Sequence, residues 1–541
     1  MHSVCVIGTG PTALYTLHAL LAAPQPLAIT FYEKSGSAGT GMPYRAEIND
    51  PALLANIASI ELPPLLETLQ AWLESRSPRA LDAMEIELDE VDERTFLPRV
   101  VLGTYFRDQF FRLLDLGQRR GFAIEARVGC EVLDIVPLPC AIRVTGIDSE
   151  GRQFSREFDE VVVATGHTVA ADTATDATYF DSPYPTSRLH MCPPGRIGIL
   201  GTSLSGIDAA VTIAARHGTF ARDGSVYTPN AEAGGLRLTM MSRHGYLPEA
   251  DFYCPLPYQP LDIFTDEAVD GEVAAGGDGL LDRLFALIAR QLRAEAPSHP
   301  LAGHGMTADS FADVYFRPRS DADPLAWARE NLRQTEDNRA RRHTVAWRYA
   351  ILRMHEPFER AVAALDEADH ARFAGGLKRV FVDNYAAIPP ASVRRILALA
   401  EAGCLEIARL GDDYELGGAS EGPPYRLSSA GEERDFDAVV VAIGEPARSH
   451  ADYPFPGLRE HFARVERFGR PCTLDEDFRI PATRGGSVYF LALPYLLEGR
   501  PFVQGLVACH ELGSLAAASI IHRAGPAPQS AAPELGIQPA A

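Results

Sequence analysis

Unbroken apolar runs that stop at small-residue turns recur along this chain. The first is Val4-Cys5-Val6-Ile7, ending at Gly8-Thr9-Gly10-Pro11-Thr12-Ala13. Another is Ile197-Gly198-Ile199-Leu200, ending at Gly201-Thr202-Ser203-Leu204-Ser205-Gly206. A run without polar alternation suits a strand covered on both faces, as in a parallel sheet. Helical apolar spacing follows the first turn over 11–22, and then Ala28-Ile29-Thr30-Phe31-Tyr32-Glu33 reads as a strand. The second turn leads to a helix, a Gly/Ala-containing insertion near 218–235, and the strand Leu236-Arg237-Leu238-Thr239-Met240-Met241. Each set is a β-α-β unit.

Between the units the pattern predicts amphipathic structure over 65–73, a helix over 103–116, short strands at 126–133 and 142–145, and an apolar strand over 158–166. From 250 to 375 the spacing turns helical, at 280–292, 324–332 and 347–365, which reads as an inserted helical subdomain. A strand at 379–382, a helix at 391–402 and a strand at 405–408 then return the chain to the second unit. A closing strand at 436–444, a last strand at 487–492 and a helix at 513–523 complete the first. The expected fold class is α/β, with two Rossmann-like dinucleotide-binding domains and an inserted helical subdomain. The first domain is expected at 1–190 and 436–523, the second at 191–249 and 376–435, the insert at 250–375, and a disordered Pro/Ala-rich tail at 524–541.

At 541 residues the chain exceeds one core. Its formal net charge of −22 argues against nucleic acid or an anionic membrane as partner. A strand starting at Ser3 leaves no room for a secretory signal, and no apolar run reads as long enough to span a bilayer. Eight scattered cysteines form no CxxC, so no zinc site, no other metal site and no reductase-type disulfide is expected. Reduced thiols in a cytoplasmic protein fit best. Homo-oligomerisation stays open.

The turns carry the chemistry. Gly8 permits a sharp bend, Gly10 lets a pyrophosphate approach the backbone, and Ala13 lets the helix pack on the strand. Free N–H groups at the helix start, with Pro11 and Thr12 in its first turn, face the phosphates. Glu33 can accept hydrogen bonds from a ribose diol. In the second turn Ser203 replaces the middle glycine, and Gly201, Thr202 and Gly206 keep the pattern. Ser242 and Arg243 stand where an NADP site places its 2′-phosphate contacts, with His244 beside them.

With these residues in view, the chain resembles the two-dinucleotide flavoprotein superfamily, in the FAD/NAD(P)-binding group related to flavin monooxygenases and amine N-hydroxylases. The matching pieces are Gly8 to Ala13, Glu33, Gly39-Thr40-Gly41-Met42-Pro43-Tyr44, Phe96-Leu97-Pro98-Arg99 with Gly103 and Tyr105, Ala164-Thr165-Gly166, Gly201 to Gly206, and Ala442-Ile443-Gly444. The resemblance implies FAD on the first turn and NADPH on the second. It places Lys34, Gly41, Met42, Val128, Val132, Ala164, Thr165 and Gly166 around the flavin nucleotide, and Asn56 near the flavin's reactive edge. Asn56 as a turn residue and Arg99 as a surface salt bridge are equally good readings of those two catalytic candidates. The chain lacks FxGxxxHxxxW before the second turn; His190 in the corresponding stretch is a weak cofactor candidate. It also lacks the usual Gly-Asp near the C-terminal flavin contact, where 505–513 lies.

The resemblance implies an NADPH-using monooxygenase, with O2 captured as a flavin C4a-hydroperoxide and passed to a small soft nucleophile, an amine or sulfur, with an amino acid as one candidate. An NADPH–flavin oxidoreductase serving a partner or quinone, and a non-catalytic FAD/NADP-binding protein, remain alternatives. The helical insert is a candidate lid. Its basic residues Arg339, Arg341, Arg342, His343 and Arg348 either grip a substrate carboxylate or pair with Glu330, Glu336 and Asp337 on a helix face.

Overall fold

The computed structural model describes residues 1–167, 177–231, 234–418, 422–429, 431–467, 473–481, 483, 485–497 and 499–525. The predicted tail lies almost wholly outside them. Two five-stranded, all-parallel sheets organise the chain. The first runs in the order Ser487–Phe490, Glu160–Val163, Ser3–Ile7, Ala28–Glu33, Ala123–Val128. The second runs Leu405–Arg409, Arg237–Ser242, Arg196–Leu200, Ala438–Val441, Tyr179–Phe180. Val4, Cys5 and Val6 are fully buried, as are Ile197 and Ile199, which is why those runs carry no polar alternation.

Each parallel sheet is preceded, before its return strand, by a three-stranded antiparallel meander. One consists of Glu131–Pro137, Ile142–Ile147 and Gln153–Phe158, the other of Tyr414–Gly417, Tyr425–Ser429 and Glu432–Phe436. The two units therefore share one plan. That likeness explains an error of assignment. The run ending Ala442-Ile443-Gly444 has the same pattern as the run ending Ala164-Thr165-Gly166, and it was expected to return the chain to the first domain at 436. Ala438–Val441 instead pairs with Arg196–Leu200 in the second sheet, and the first domain resumes near Tyr453, which with Phe455, Leu458 and Phe462 shares a core with Cys5, Ile7 and Val163, before the chain adds the strand Ser487–Phe490. Tyr179–Phe180 also joins the second sheet, so the first part of the first domain ends before 179 rather than at 190.

The insert is helical, as its spacing predicts, but longer. It contains Asp266–Ala274, Leu280–Glu295, Ala308–Ser320, Pro324–Ala340, Ala346–Val362, Glu367–Gly375 and Leu377–Tyr385. The segment expected as a strand at 379–382 lies in the last of these helices. Leu377, Val380 and Phe381 sit at helical spacing and are buried in the insert's own core with Phe358, Phe373 and Phe502. A short apolar run does not distinguish strand from helix until its packing partners are known. The second domain resumes at Ile388, which bridges Ala250.

Helix Gly505–Ala524 has the length and apolar composition to cross a bilayer, which the sequence reading did not recognise. Here it packs across Pro11–Leu20. A Cβ on Gly513 would stand 2.8 Å from the amide nitrogen of Thr16 and 3.0 Å from the carbonyl oxygen of Thr12, so glycine sets how closely the two helices approach.

Candidate functional site

At the first turn the Gly8 amide donates to the carbonyl of Tyr32 at 2.8 Å, tying the bend to the neighbouring strand. Gly8 adopts φ +98°, and a Cβ there would lie 2.5 Å from the carbonyl oxygen of Ala164. Pro11 opens the helix, where its missing N–H costs nothing. Gly41, at φ +80°, lies over this turn, its Cα close to that of Gly10. Two bare backbones thus pack directly against each other at a helix N-terminus with no side-chain cap, leaving the free N–H groups of that terminus unobstructed. That is the cradle a pyrophosphate needs.

Glu33 is a loop clasp as well as a ribose candidate. Its Oε2 accepts the Thr9 amide at 3.1 Å and the Thr9 hydroxyl at 2.7 Å; its Oε1 accepts the Ser35 amide at 2.9 Å and hydroxyl at 2.7 Å. Thr9 also accepts the Gly39 amide at 3.0 Å, so one carboxylate fixes both glycine loops. These four bonds take up the usual acceptor sites of the carboxylate, with Arg45 a further 3.7 Å from Oε1, so a ribose diol would have to displace one of the donors. Val128 pairs in register with Glu33 and remains 44% exposed, an apolar surface beside the acid. Thr12 and Ala13 are buried under the turn, and Met42 gives its carbonyl to the Asn49 amide at 2.7 Å. Lys34 is exposed and paired with Glu131 at 2.7 Å, a surface tie rather than part of the cradle. Past Ala164, Thr165 and Gly166, His167 Nδ1 lies 3.1 Å from Glu445 Oε2, joining the closing turns of the two units.

The second turn repeats the construction. Gly201, at φ +136°, would place a Cβ 2.2 Å from the carbonyl oxygen of Ala442, and a Cβ on Gly206 would meet the carbonyl oxygen of Gly201 at 2.2 Å. Ser203 caps the helix Leu204–His217 without a side-chain bond, leaving its hydroxyl exposed at the N-terminus. The Thr202 hydroxyl donates to Ser242 Oγ at 2.8 Å, and the Gly245 amide donates to the same Oγ at 3.0 Å. Arg243 is exposed and pairs with exposed Asp412 at 2.9 Å. Arg409, which stands opposite Ser242 in the sheet register, and Arg379 add to the positive charge here. Burial, followed by Arg379, Arg409 and Arg243, holds the His244 imidazole below its ordinary range. Arg409 and Arg379 escaped the sequence reading because strand register and the helix at Leu377–Tyr385 bring them in.

Arg99 is neither a surface pair nor free for chemistry. Its Nη1 lies 2.7 Å from Asp208 Oδ2, its Nε donates to the carbonyl of Leu54 at 3.0 Å, and Tyr184 donates to Asp208 at 2.6 Å. Burial alone would lower the guanidinium; Asp208 and Tyr184 outweigh it and hold Arg99 above its ordinary range. Because Asp208 lies on Leu204–His217, the ion pair ties the first unit to the second. His190 likewise is engaged, 2.9 Å from Asp50.

Asn56 borders a separate cavity of about 70 Å³. Its lining combines Glu61, Arg94 and Phe96 from the first domain, Asp251, Cys254 and Tyr258 from the segment entering the insert, and Asn384 and Tyr385 from the insert's last helix. Of the basic residues, Arg339 lines this cavity and pairs with Asp92 at 3.3 Å, while Arg348 is buried against Glu249 at 3.1 Å. The expected partners are taken otherwise: Glu330 and Asp337 pair with Arg333, and Glu336 with Arg394. The cluster therefore divides three ways: Arg339 lies on the cavity wall, Arg348 in the interior, and Arg341, Arg342 and His343 are exposed.

Residues 5–168 match a family described as FAD-NAD(P)-binding, and residues 265–385 match the YdhS-like middle domain. The protein YdhS of Escherichia coli (strain K12) is 41% identical over 531 residues, covering 96% of this chain and 98% of that one. The chain belongs to the YdhS family. Its middle domain begins and ends at the observed helical insert, including the helix Leu377–Tyr385. Among solved structures, the Kutzneria sp. 744 ornithine N-hydroxylase is similar over 97% of this chain and 100% of its own, at 14% identity and TM-score 0.50. The ornithine hydroxylase PvdA from Pseudomonas aeruginosa covers the same shares at 14% identity and TM-score 0.49. These likenesses concern the fold. The chain thus combines an FAD/NAD(P)-binding domain with the helical middle domain of its family.

Proposed function

We propose that this protein is an FAD-dependent, NADPH-using monooxygenase that hydroxylates a small soft nucleophile, an amine or a sulfur compound. The carrying observation is a polar cavity walled jointly by the first domain and the insert, in a chain with two nucleotide turns, the second with Ser203 for its middle glycine, and no CxxC in its sequence. Bound FAD would accept a hydride from NADPH and activate O2. The protein's own share is to hold and to exclude. The uncapped helix N-terminus at Gly10, with Gly41 packed beside it, would take a pyrophosphate, and Glu33 and Val128 would border a nucleoside. Ser203, Ser242, Arg243 and Arg409 would hold the 2′-phosphate and pyrophosphate of NADPH. The insert, through Asn384 and Tyr385, closes the cavity against water.

With 18O2, hydroxylated product should carry the label and NADPH consumption should match product. Stoichiometric H2O2 with every substrate tried, and no labelled product, replaces this reading with electron transfer alone.

Nucleotide choice is tested separately. The Arg243–Asp412 pair is exposed, so little holds the guanidinium away from a phosphate. Arg243→Ala should weaken NADPH by roughly ten- to a hundredfold, the worth of one charge-assisted bond, and leave NADH within about twofold. Arg409→Ala should act in the same direction. Equal losses for both nucleotides in steady-state KM would place the 2′-phosphate elsewhere.

A further inference from the structure

The cavity contains a carboxyl group with no counterpart. Asp251 lines it, and among the described residues no hydrogen bond or ion pair engages that carboxyl. Glu61 shares the cavity and uses only Oε2, which accepts the Ala58 amide at 3.0 Å. Neither arginine in the lining bonds these two carboxyls. Arg94 donates to the carbonyl of Cys254 at 2.9 Å and lies 4.5 Å over the Tyr253 ring; Arg339 is taken by Asp92. Asn384 is a second, independent sign of a missing ligand. It is 1% exposed, and neither its amide nitrogen nor its amide oxygen has a partner. The neighbouring Tyr385 hydroxyl is also buried without a partner. Buried polar groups left in this condition cost stability unless something bonds them.

We propose that this cavity is an ammonium site, in which Asp251 and the free oxygen of Glu61 take the cationic head of a primary amine and Asn384 and Tyr385 bond the same ligand. That the amine is the substrate rests on the monooxygenase reading; that it binds here does not. A thiolate would be repelled by the two carboxyls, and a thioether has no donor to offer them. Arg94 has no ion-pair partner among the described residues, so an anion is the competing ligand that the butanoate arm of the test must exclude. The volume admits an amino group and a few methylenes.

Asp251 also gives the site a pH dependence. It is faced by Glu61, Arg94, Arg339, Arg348, Cys254 and Tyr258. Burial, then Glu61, push its carboxyl up to about 7, against the three arginines. Only the ionised carboxyl attracts a cation, so affinity for an amine should rise as pH rises through that value.

The test is calorimetric titration of the FAD-loaded protein with n-butylamine, butanoate and methyl propyl sulfide. The amine should bind, more tightly at higher pH, and the other two should not. Asp251→Asn, with FAD content and melting temperature retained, should weaken the amine by roughly ten- to a hundredfold. Should that variant lose FAD, Glu61→Gln serves in its place, with an expected loss of about tenfold. Unchanged amine affinity in a folded variant, or preference for butanoate or the sulfide, overturns the proposal. Labelled oxygen entering a sulfide without any amine binding overturns this site and leaves the monooxygenase reading intact. Asp251-dependent amine binding with no oxygen transfer does the reverse.

Discussion

Gly10→Val should give a folded, colourless protein. Gly10 sits at φ −80° and ψ −174°, an extended conformation that valine adopts readily. Its Cβ would stand 3.3 Å from the Cα of Gly41, a contact relieved by a shift of a few tenths of an ångström. The two γ-carbons, however, would stand over the uncapped helix N-terminus, where the pyrophosphate is proposed to bind. FAD affinity should fall by more than about a hundredfold, or roughly 2.7 kcal/mol, while the circular dichroism spectrum stays native. Gly8 is the wrong residue for this experiment, because its positive φ and its contact with Ala164 make any side chain a folding defect. A valine protein that purifies with a full complement of FAD would move the flavin away from this turn.

Arg99→Ala should be among the most destabilising single changes available. It leaves Asp208 buried with Tyr184 as its remaining side-chain partner, and it frees the carbonyl of Leu54. Removing one member of a buried ion pair costs about 3–5 kcal/mol. Asp208→Ala should cost a comparable amount. The double variant should lose clearly less than the sum of the two, because neither charge is then stranded. Urea denaturation of the four proteins measures this. Additive losses, or an Arg99→Ala cost below about 1 kcal/mol, would mean that the pair does not hold the two units together.

The nucleotide turns were legible because their chemistry is local. Strand, glycine turn, helix and acid lie within one β-α-β unit, and nothing distant is needed to recognise Gly8, Gly10, Glu33 or Gly201. Helical periodicity exposed most of the insert for the same reason. What escaped depends on contacts across the chain. Ala438–Val441 carries the pattern of any strand closing a parallel sheet, and only its pairing with Arg196–Leu200 says which sheet. Arg99 looked like a catalytic or surface residue, since its partner Asp208 lies in the other unit. Asn56 was picked by resemblance, but the groups beside it, Glu61, Asp251 and Asn384, come from three separated stretches with no shared motif.

The order of strands also bears on how the chain is made. The units are nested like brackets: the insert lies inside the second domain, and the second domain lies inside the first. During synthesis the innermost bracket is made before those around it close, though its core still awaits Phe502, and the sheet begun by Ser3–Ile7 receives its edge strand Ser487–Phe490 and covering helix Gly505–Ala524 only after both inner units. Pro11–Leu20 must therefore wait, with its apolar face uncovered, through translation of nearly everything else. At about 5–20 residues per second that interval is tens of seconds. A segment made late thus completes one made early, and a ribosome stalled before Gly505 would display an exposed helix face for chaperones to find.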